Sequence, residues 1–210
     1  MKLAVFDLDR TLIRVNSSIN YYFYLIKNKH LSMRKMHVLA FYYFLYKIYL
    51  FSPVKLHTKV FELFLKGKNI KDFEKTAESF VEKHLMDYVL DVVKQKLEEH
   101  RLAGDQIVLL SNSPKFLVDP IAKSFDIPFF EASSYRQKNG VLIGIQLVMD
   151  GEQKKKFVQK MVEESTYEKV VAYTDSFWDF PLIASADEVV AVNPCRKLRK
   201  LCKLKGYEII

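Results

Sequence analysis

The strand signals in this chain are split unevenly, and that split limits the folds open to it. One short apolar run, residues 2–6, ends on Asp7; about 85 residues then pass without a convincing strand before residues 106–110. A run this short and apolar is what a strand buried on both faces looks like. The long gap reads as helical, with starts at Ser17/Ser18 and Ser32 and a break at Ser52-Pro53, where Pro opens a new helix. After Arg101 the pattern alternates. Strands are predicted at 106–110, 128–132, 141–145, 170–173, 189–192 and 207–210, the third following the hairpin-turn signal Asn139-Gly140. Helices are predicted at 114–125, 151–164, 178–184 and 195–204. Alternation of this kind predicts an α/β domain with a mostly parallel sheet. Its core is built from residues 1–14 and 101–210, and residues 15–100 form a helical insertion between the first and second strands.

Composition narrows the classes further. Half of the 210 residues are apolar, which excludes a disordered chain, and six Gly with six Pro exclude collagen-like or linker-rich material. Two Cys, at 195 and 202, make no disulfide scaffold and point to a reducing compartment. No secretory signal is expected, because the first apolar run is too short. The longest apolar stretch, 38–51, is broken by Lys47 and is too short for a bilayer-spanning helix, which needs ~20 residues. The expected location is cytoplasmic, with peripheral attachment at the inner face of the membrane left open. The net charge of +8 is local: residues 15–56 hold six Lys/Arg and no acid, and 196–205 hold six more and no acid. Those twelve charges exceed the total, so the rest of the chain is net negative by four.

In open α/β sheets ligands bind beyond the carboxyl ends of the strands. The first strand is followed by Asp7-Leu8-Asp9-Arg10-Thr11, the second by Ser111-Asn112-Ser113-Pro114, and the 170–173 strand by Thr174-Asp175-Ser176-Phe177-Trp178-Asp179. Lys154, Lys155 and Lys156 lie near a helix start. Each has an ordinary reading: a solvated rim for Asp7 and Asp9, a helix cap for Ser111, a solvated helix face for the lysines, a turn and helix-start charge for Asp175 and Asp179. On extended chain Asp7 and Asp9 point the same way, and two converging carboxylates need a cation to offset them. Taken together, the four groups point to magnesium-assisted phosphoryl transfer. Asp7 and Asp175, with Asp179, supply acids to Mg²⁺, while Ser111, the Asn112 N–H and a lysine hold the phosphate oxygens. A carboxylate can then attack phosphorus and form an aspartyl-phosphate.

These motifs resemble those of the haloacid dehalogenase-like superfamily. Residues 6–12, Phe-Asp-Leu-Asp-Arg-Thr-Leu, resemble its DxDxT motif; Leu110-Ser111-Asn112-Ser113 resembles its second motif; Gly151-Glu152-Gln153-Lys154 its lysine motif; and residues 174–179 its acidic fourth motif. Residues 113–118 and 192–200 resemble the phosphoserine-phosphatase-like branch, subfamily IB. The resemblance implies a Rossmann-like core with an inserted all-helical cap. It implies Asp7 as nucleophile and Mg²⁺ ligand, and Asp9 as general acid/base that also ligates Mg²⁺ through its carbonyl. Thr11 braces the loop, Ser111 and Lys154 bind the phosphoryl group, Asp175 ligates Mg²⁺, and Asp179 supports the metal or the lysine. Lys155 or Lys156 could stand in for Lys154. Three departures stand out: Arg10 for a smaller residue, Thr174 for Gly, and Asn16 where phosphoserine phosphatases carry a Glu that meets the substrate's amino group. The last argues against phosphoserine as substrate.

The expected activity is therefore Mg²⁺-dependent hydrolysis of a phosphomonoester. Two alternatives stay open: a membrane-associated lipid-phosphate phosphatase, such as one for phosphatidylglycerophosphate, and a non-catalytic phospho-ligand or membrane-binding protein. The 15–56 segment is aromatic as well as basic. Burial of its aromatics internally or against a second subunit, as a homodimer, competes with contact to a membrane surface. It is too apolar for nucleic acid, which is not an expected partner. The 196–205 helix reads as a solvated basic helix on the back edge of the core.

Overall fold

The structure, a computed structural model, describes residues 1–33 and 36–210. Two of the basic residues counted above, Arg34 and Lys35, lie outside the described residues, and the helix start expected at Ser32 runs into them.

The chain opens with β1 (Leu3–Asp7), entirely buried. Among the described residues five α-helices follow: α1 (Ser17–Lys27), α2 (Met36–Lys47), α3 (Pro53–Val60), α4 (Ile70–Phe80) and α5 (Asp91–Leu102). Widened π-type turns at Phe61–Leu65 and Val81–Leu85 extend α3 and α4. The rest alternates: β2 (Gln106–Pro114), α6 (Lys115–Ser124), β3 (Phe130–Lys138), β4 (Val141–Leu147), α7 (Gly151–Glu164), β5 (Val170–Thr174), α8 (Phe180–Ile183), β6 (Glu188–Ala191), α9 (Arg196–Lys205) and β7 (Glu208–Ile209). The seven strands form one sheet in the order β4-β3-β2-β1-β5-β6-β7, parallel throughout except for the β3–β4 pair. The fold is α/β with a mostly parallel sheet, as the alternation predicts.

β1 is central because both faces of it are apolar. Ala4 and Phe6 pack with Leu97 and Ile121 on one face; Leu3 and Val5 pack with Val158 and Leu182 on the other. The Asn139-Gly140 turn joins β3 to β4, with φ of 51° and 78°, the paired left-handed conformation that a two-residue hairpin requires.

Several boundaries differ from expectation. β3 runs on to Lys138 because the hairpin with β4 supplies its hydrogen bonds, although residues 133–138 carry little apolar pattern. β2 continues through Pro114, so α6 begins at Lys115. Asn16 rather than Ser17 or Ser18 caps α1, its side chain accepting from Ile19 N–H. Among the described residues, no helix is long and apolar enough to cross a membrane.

Candidate active site

The strand order β2-β1-β5 sets three motif-bearing strand ends side by side. Asp7 closes β1 opposite Leu110 of β2, so Ser111 lies one residue beyond that pairing. Asp175 follows the last residue of β5. α7 reaches this row because it begins with Gly151. A Cβ there would stand 2.3 Å from the Trp178 carbonyl oxygen, so only glycine lets the helix start press against the 176–179 loop. One turn later Lys154 lies buried, 3% exposed. Its Nζ donates to Asp7 Oδ1 at 2.6 Å and to Asp179 Oδ2 at 2.9 Å. Lys155 is half-buried and Lys156 exposed. Thr174 also donates to Asp179 Oδ2, at 2.7 Å, and accepts from Ser176 N–H, so this departure from glycine anchors the loop. Thr11 Oγ1 reaches Asp7 Oδ2 at 3.4 Å.

Asp9 has different neighbours. β1 ends at Asp7 and the chain turns, with Arg10 in the left-handed region at φ 64°. Asp7 and Asp9 nevertheless line one cavity, described below. Asp9 Oδ1 accepts from Ser17 N–H at 2.6 Å, and its Oδ2 accepts from Ser113 Oγ at 2.8 Å and Asn16 Nδ2 at 3.4 Å. Ser17 and Ser18 hydroxyls in turn sit 3.0 and 2.8 Å from Ser113 Oγ. Ser111 caps no helix; its buried Oγ accepts from Ser113 N–H. The Asn112 side chain turns to α3, where its Oδ1 meets His57 Nδ1 at 3.2 Å, and His57 Nε2 meets Tyr135 Oη at 2.8 Å. Burial pushes His57 down to about 4, so the ring is neutral near pH 7.

The electrostatics of the row are unbalanced. Burial raises the Asp7 carboxyl to about 8 against the lowering pull of Lys154, and Asp179 and Asp175 add to the rise. Burial and then Asp179 raise Asp175 to about 7, while Arg10 and Lys154 lower it. Burial would lower Lys154, but Asp179 and Asp7 outweigh it and hold the ammonium above its ordinary value. Lys154 is thus charged, and one ammonium, joined at Asp175 by the pull of Arg10, serves three crowded carboxylates. A further cation is what such a row lacks. Among the described residues no three His, Cys, Asp or Glu converge into a closed cage. That does not suit a structural zinc. It does suit Mg²⁺, which takes one or two carboxylates and completes its shell with water and phosphate oxygens.

A cavity of about 370 Å³ runs from this row to the inserted helices. Asp7, Asp9, Lys154, Asp175 and Asp179 line one end; Tyr22, Leu39, Tyr43, Tyr46 and Leu56 line the other.

Residues 4–184 match the family model for haloacid dehalogenase-like hydrolases. The chain belongs to that family. Among curated relatives of this hydrolase, histidinol-phosphatase of Neisseria meningitidis is 26% identical over 223 residues, covering 99% of this chain and 97% of that one. Phosphoserine phosphatase SerB1 of Mycobacterium tuberculosis is 24% identical over 215 residues, covering 98% and 69%. Among solved structures, a Bordetella pertussis protein of unknown function superposes with a TM-score of 0.87 at 21% identity, covering 100% and 97%. A phosphoserine phosphohydrolase-like protein of Francisella tularensis superposes at 0.72 with 19% identity, covering 100% and 95%. Both structures share the hydrolase's fold.

The hydrolase's site also contains residues that sequence reasoning passed over. Ser17 and Ser113 hold Asp9, and Ser113, two residues after Ser111, was visible in the motif. Arg10 Nη2 donates to Tyr43 Oη of α2 at 2.8 Å, and Tyr46 stacks on Trp178 with ring centroids 5.8 Å apart. Neither partner carries a local signal. The basic α9 was also expected on the back edge. Its basic side chains are exposed, as expected, but Lys197 Nζ lies 3.9 Å from the Phe177 ring centroid and 5.2 Å from that of Tyr49. The reason is that α9 follows β6, next to β5 in the sheet, so its first turn lies beside the 176–179 loop.

Proposed function

We propose that this hydrolase is a phosphatase that cleaves a phosphomonoester through an aspartyl-phosphate on Asp7, with Mg²⁺ as its metal. The observation that carries the reading is that Asp7 and Asp9, two residues apart, have different partners. Lys154 grips one oxygen of Asp7, leaving Oδ2 with only the long Thr11 contact. Asp9 is held by uncharged donors, and burial raises its carboxyl above the usual range despite the Ser17 and Ser113 hydrogen bonds.

Asp7 Oδ2 attacks phosphorus, the P–O bond to the alcohol breaks, and protonated Asp9 gives its proton to the departing oxygen. Asp9, now a carboxylate, takes a proton from water, which attacks the phosphoryl group and frees Asp7 and inorganic phosphate. Ser111 Oγ and the Asn112 N–H bind the non-bridging oxygens, and Lys154 offsets their charge. Asp7, Asp175 and the Asp9 carbonyl would hold Mg²⁺, and Asp179 acts through Lys154. When bound, the metal keeps Asp7 ionised and offsets the charge of the phosphoryl oxygens. The relatives named phosphatases support this reaction type.

Residues 15–100 are proposed as a cap on a core of 1–14 and 101–210, since the inserted helices supply the apolar end of the cavity. That end favours an alcohol with an apolar body. Asn16 offers no carboxylate to an amino group, because it caps α1 and contacts Asp9. A lipid phosphate is a second substrate of this class, favoured by the aromatic lining. A cytoplasmic location is consistent with Cys195 and Cys202 both being free.

The test is release of phosphate from an aryl phosphate with Mg²⁺. Asp7→Asn should lose at least ~10⁴-fold in kcat, by analogy with removal of other covalent nucleophiles. Activity in that variant close to wild type would overturn the assignment.

A further inference from the structure

α2 is apolar on both sides. Its inner side, including Leu39, Tyr43 and Tyr46, lines the cavity. On its outer side Phe41 and Phe44 are 59% and 58% exposed. Ile48 N–H bonds the Phe44 carbonyl, so the row continues one turn further. Tyr49 then takes a left-handed conformation, φ 62°, where helix ends usually place glycine. Its ring is held against Trp178, centroids 5.1 Å apart, and the reversal leaves Leu50 71% exposed. A soluble surface seldom leaves such a row uncovered without a partner.

The charge along this segment is of one sign. Lys27, Lys29, Lys47 and Lys55 are exposed, and no acid occurs from 15 to 56. The structure also joins the two basic stretches that are separate in sequence, because Lys197 of α9 packs on the Tyr49 ring. Exposed apolar side chains in a segment whose charges are all ammonium groups match an anionic lipid surface, where the first enter the acyl boundary and the second meet headgroups. A second copy fits less well, since a two-fold contact would set two acid-free basic segments against each other. A polynucleotide would leave Ile48 and Leu50 without apolar cover.

We propose that Phe41, Phe44, Ile48 and Leu50, with the surrounding lysines, form a docking face for an anionic lipid bilayer. The helix that meets the bilayer is also a wall of the cavity, so docking brings the apolar end of the cavity within about one helix diameter, ~10 Å, of the lipid. This inference goes beyond the phosphatase reading and does not depend on it.

The test is flotation of the full chain with vesicles of phosphatidylcholine, with and without phosphatidylglycerol, at low and high salt. The protein should float only with the anionic vesicles. Salt should weaken binding without abolishing it, because apolar insertion is not screened. Phe41→Glu with Phe44→Glu should lower binding more than tenfold, and Phe41→Leu with Phe44→Leu should retain it. Both positions are exposed and outside the cavity lining, so hydrolysis of a water-soluble aryl phosphate should persist in these variants. Turnover and flotation are separate readouts, so failure of either reading is seen by itself. No flotation of wild type at low salt, or equal flotation of the Glu variant, overturns the proposal. So does a concentration-dependent dimer, or a duplex DNA complex, that the Glu variant abolishes.

Discussion

The two sides of the active site differ more than their spacing in sequence implies. On one side Asp7 is buried against an ammonium group shared with Asp179. On the other, Asp9 is bound by a backbone N–H, a hydroxyl and an amide. Burial raises both carboxyls; at Asp7 it is mainly the Lys154 ammonium that pulls against the rise, and at Asp9 mainly the Ser17 and Ser113 hydrogen bonds. In the proposed reaction the same residue type serves as nucleophile on one side and acid on the other. The comparison can be broken from either side.

After Asp7→Asn, Asp9→Asn gives the largest expected effect. It removes the proton donor and lowers kcat by about 10²–10⁴-fold for an alkyl phosphate. An aryl phosphate needs less help to expel its leaving group, so its first step should suffer less. Burst and steady-state kinetics with both substrates measure the difference. Equal losses for both would show that Asp9 does not protonate the leaving group.

Lys154→Met attacks the other side. It removes a cation from the phosphoryl group, with an expected loss of about 10²–10³-fold in kcat. It also leaves Asp7 and Asp179 buried without their partner, at a cost of about 3–5 kcal/mol in urea denaturation without metal. Mg²⁺ should restore part of that stability, since a bound cation offsets the same carboxylates. A variant as stable as wild type without metal would mean that Lys154 is not what balances this side.

The contrast also explains what was legible in the sequence. β1 ends on Asp7, the apolar run of β2 is followed by Ser111, and β5 is followed by Asp175, so the sheet and the motif residues could be read together. The choice of Lys154 over its neighbours could not, because it depends on Gly151 fitting against the Trp178 carbonyl, a contact between distant segments. The Asp9 side was hidden for the same reason: Ser17 opens a helix, Ser113 ends a strand, and only the fold brings them together. The meeting of Lys197 with Tyr49 is tertiary too. The extension of β3 to Lys138 was missed because its pairing rests on backbone hydrogen bonds, which leave little side-chain pattern.

Ser113→Ala is the gentlest way to test the contrast, and its sign is determined by the surroundings of Asp9. The Ser113 hydroxyl donates to Asp9 Oδ2, and this hydrogen bond favours the ionised form and lowers the carboxyl's proton affinity. Removing it raises an already elevated Asp9 further. In the proposed reaction protonated Asp9 is needed for the first step and activity falls as pH rises through its pKa, so the alkaline limb of kcat for an alkyl phosphate should move to higher pH. A single neutral hydrogen bond is worth about 1 kcal/mol, so the displacement should be under about one pH unit, with kcat at its optimum within about tenfold of wild type. Lys154 and Asp7 keep all their contacts, so stability without metal should change far less than in Lys154→Met. A limb that moves to lower pH would mean that Ser113 supports the protonated form of Asp9, and the contrast between the two acids would have to be redrawn from the hydroxyl network of Ser17, Ser18 and Ser113.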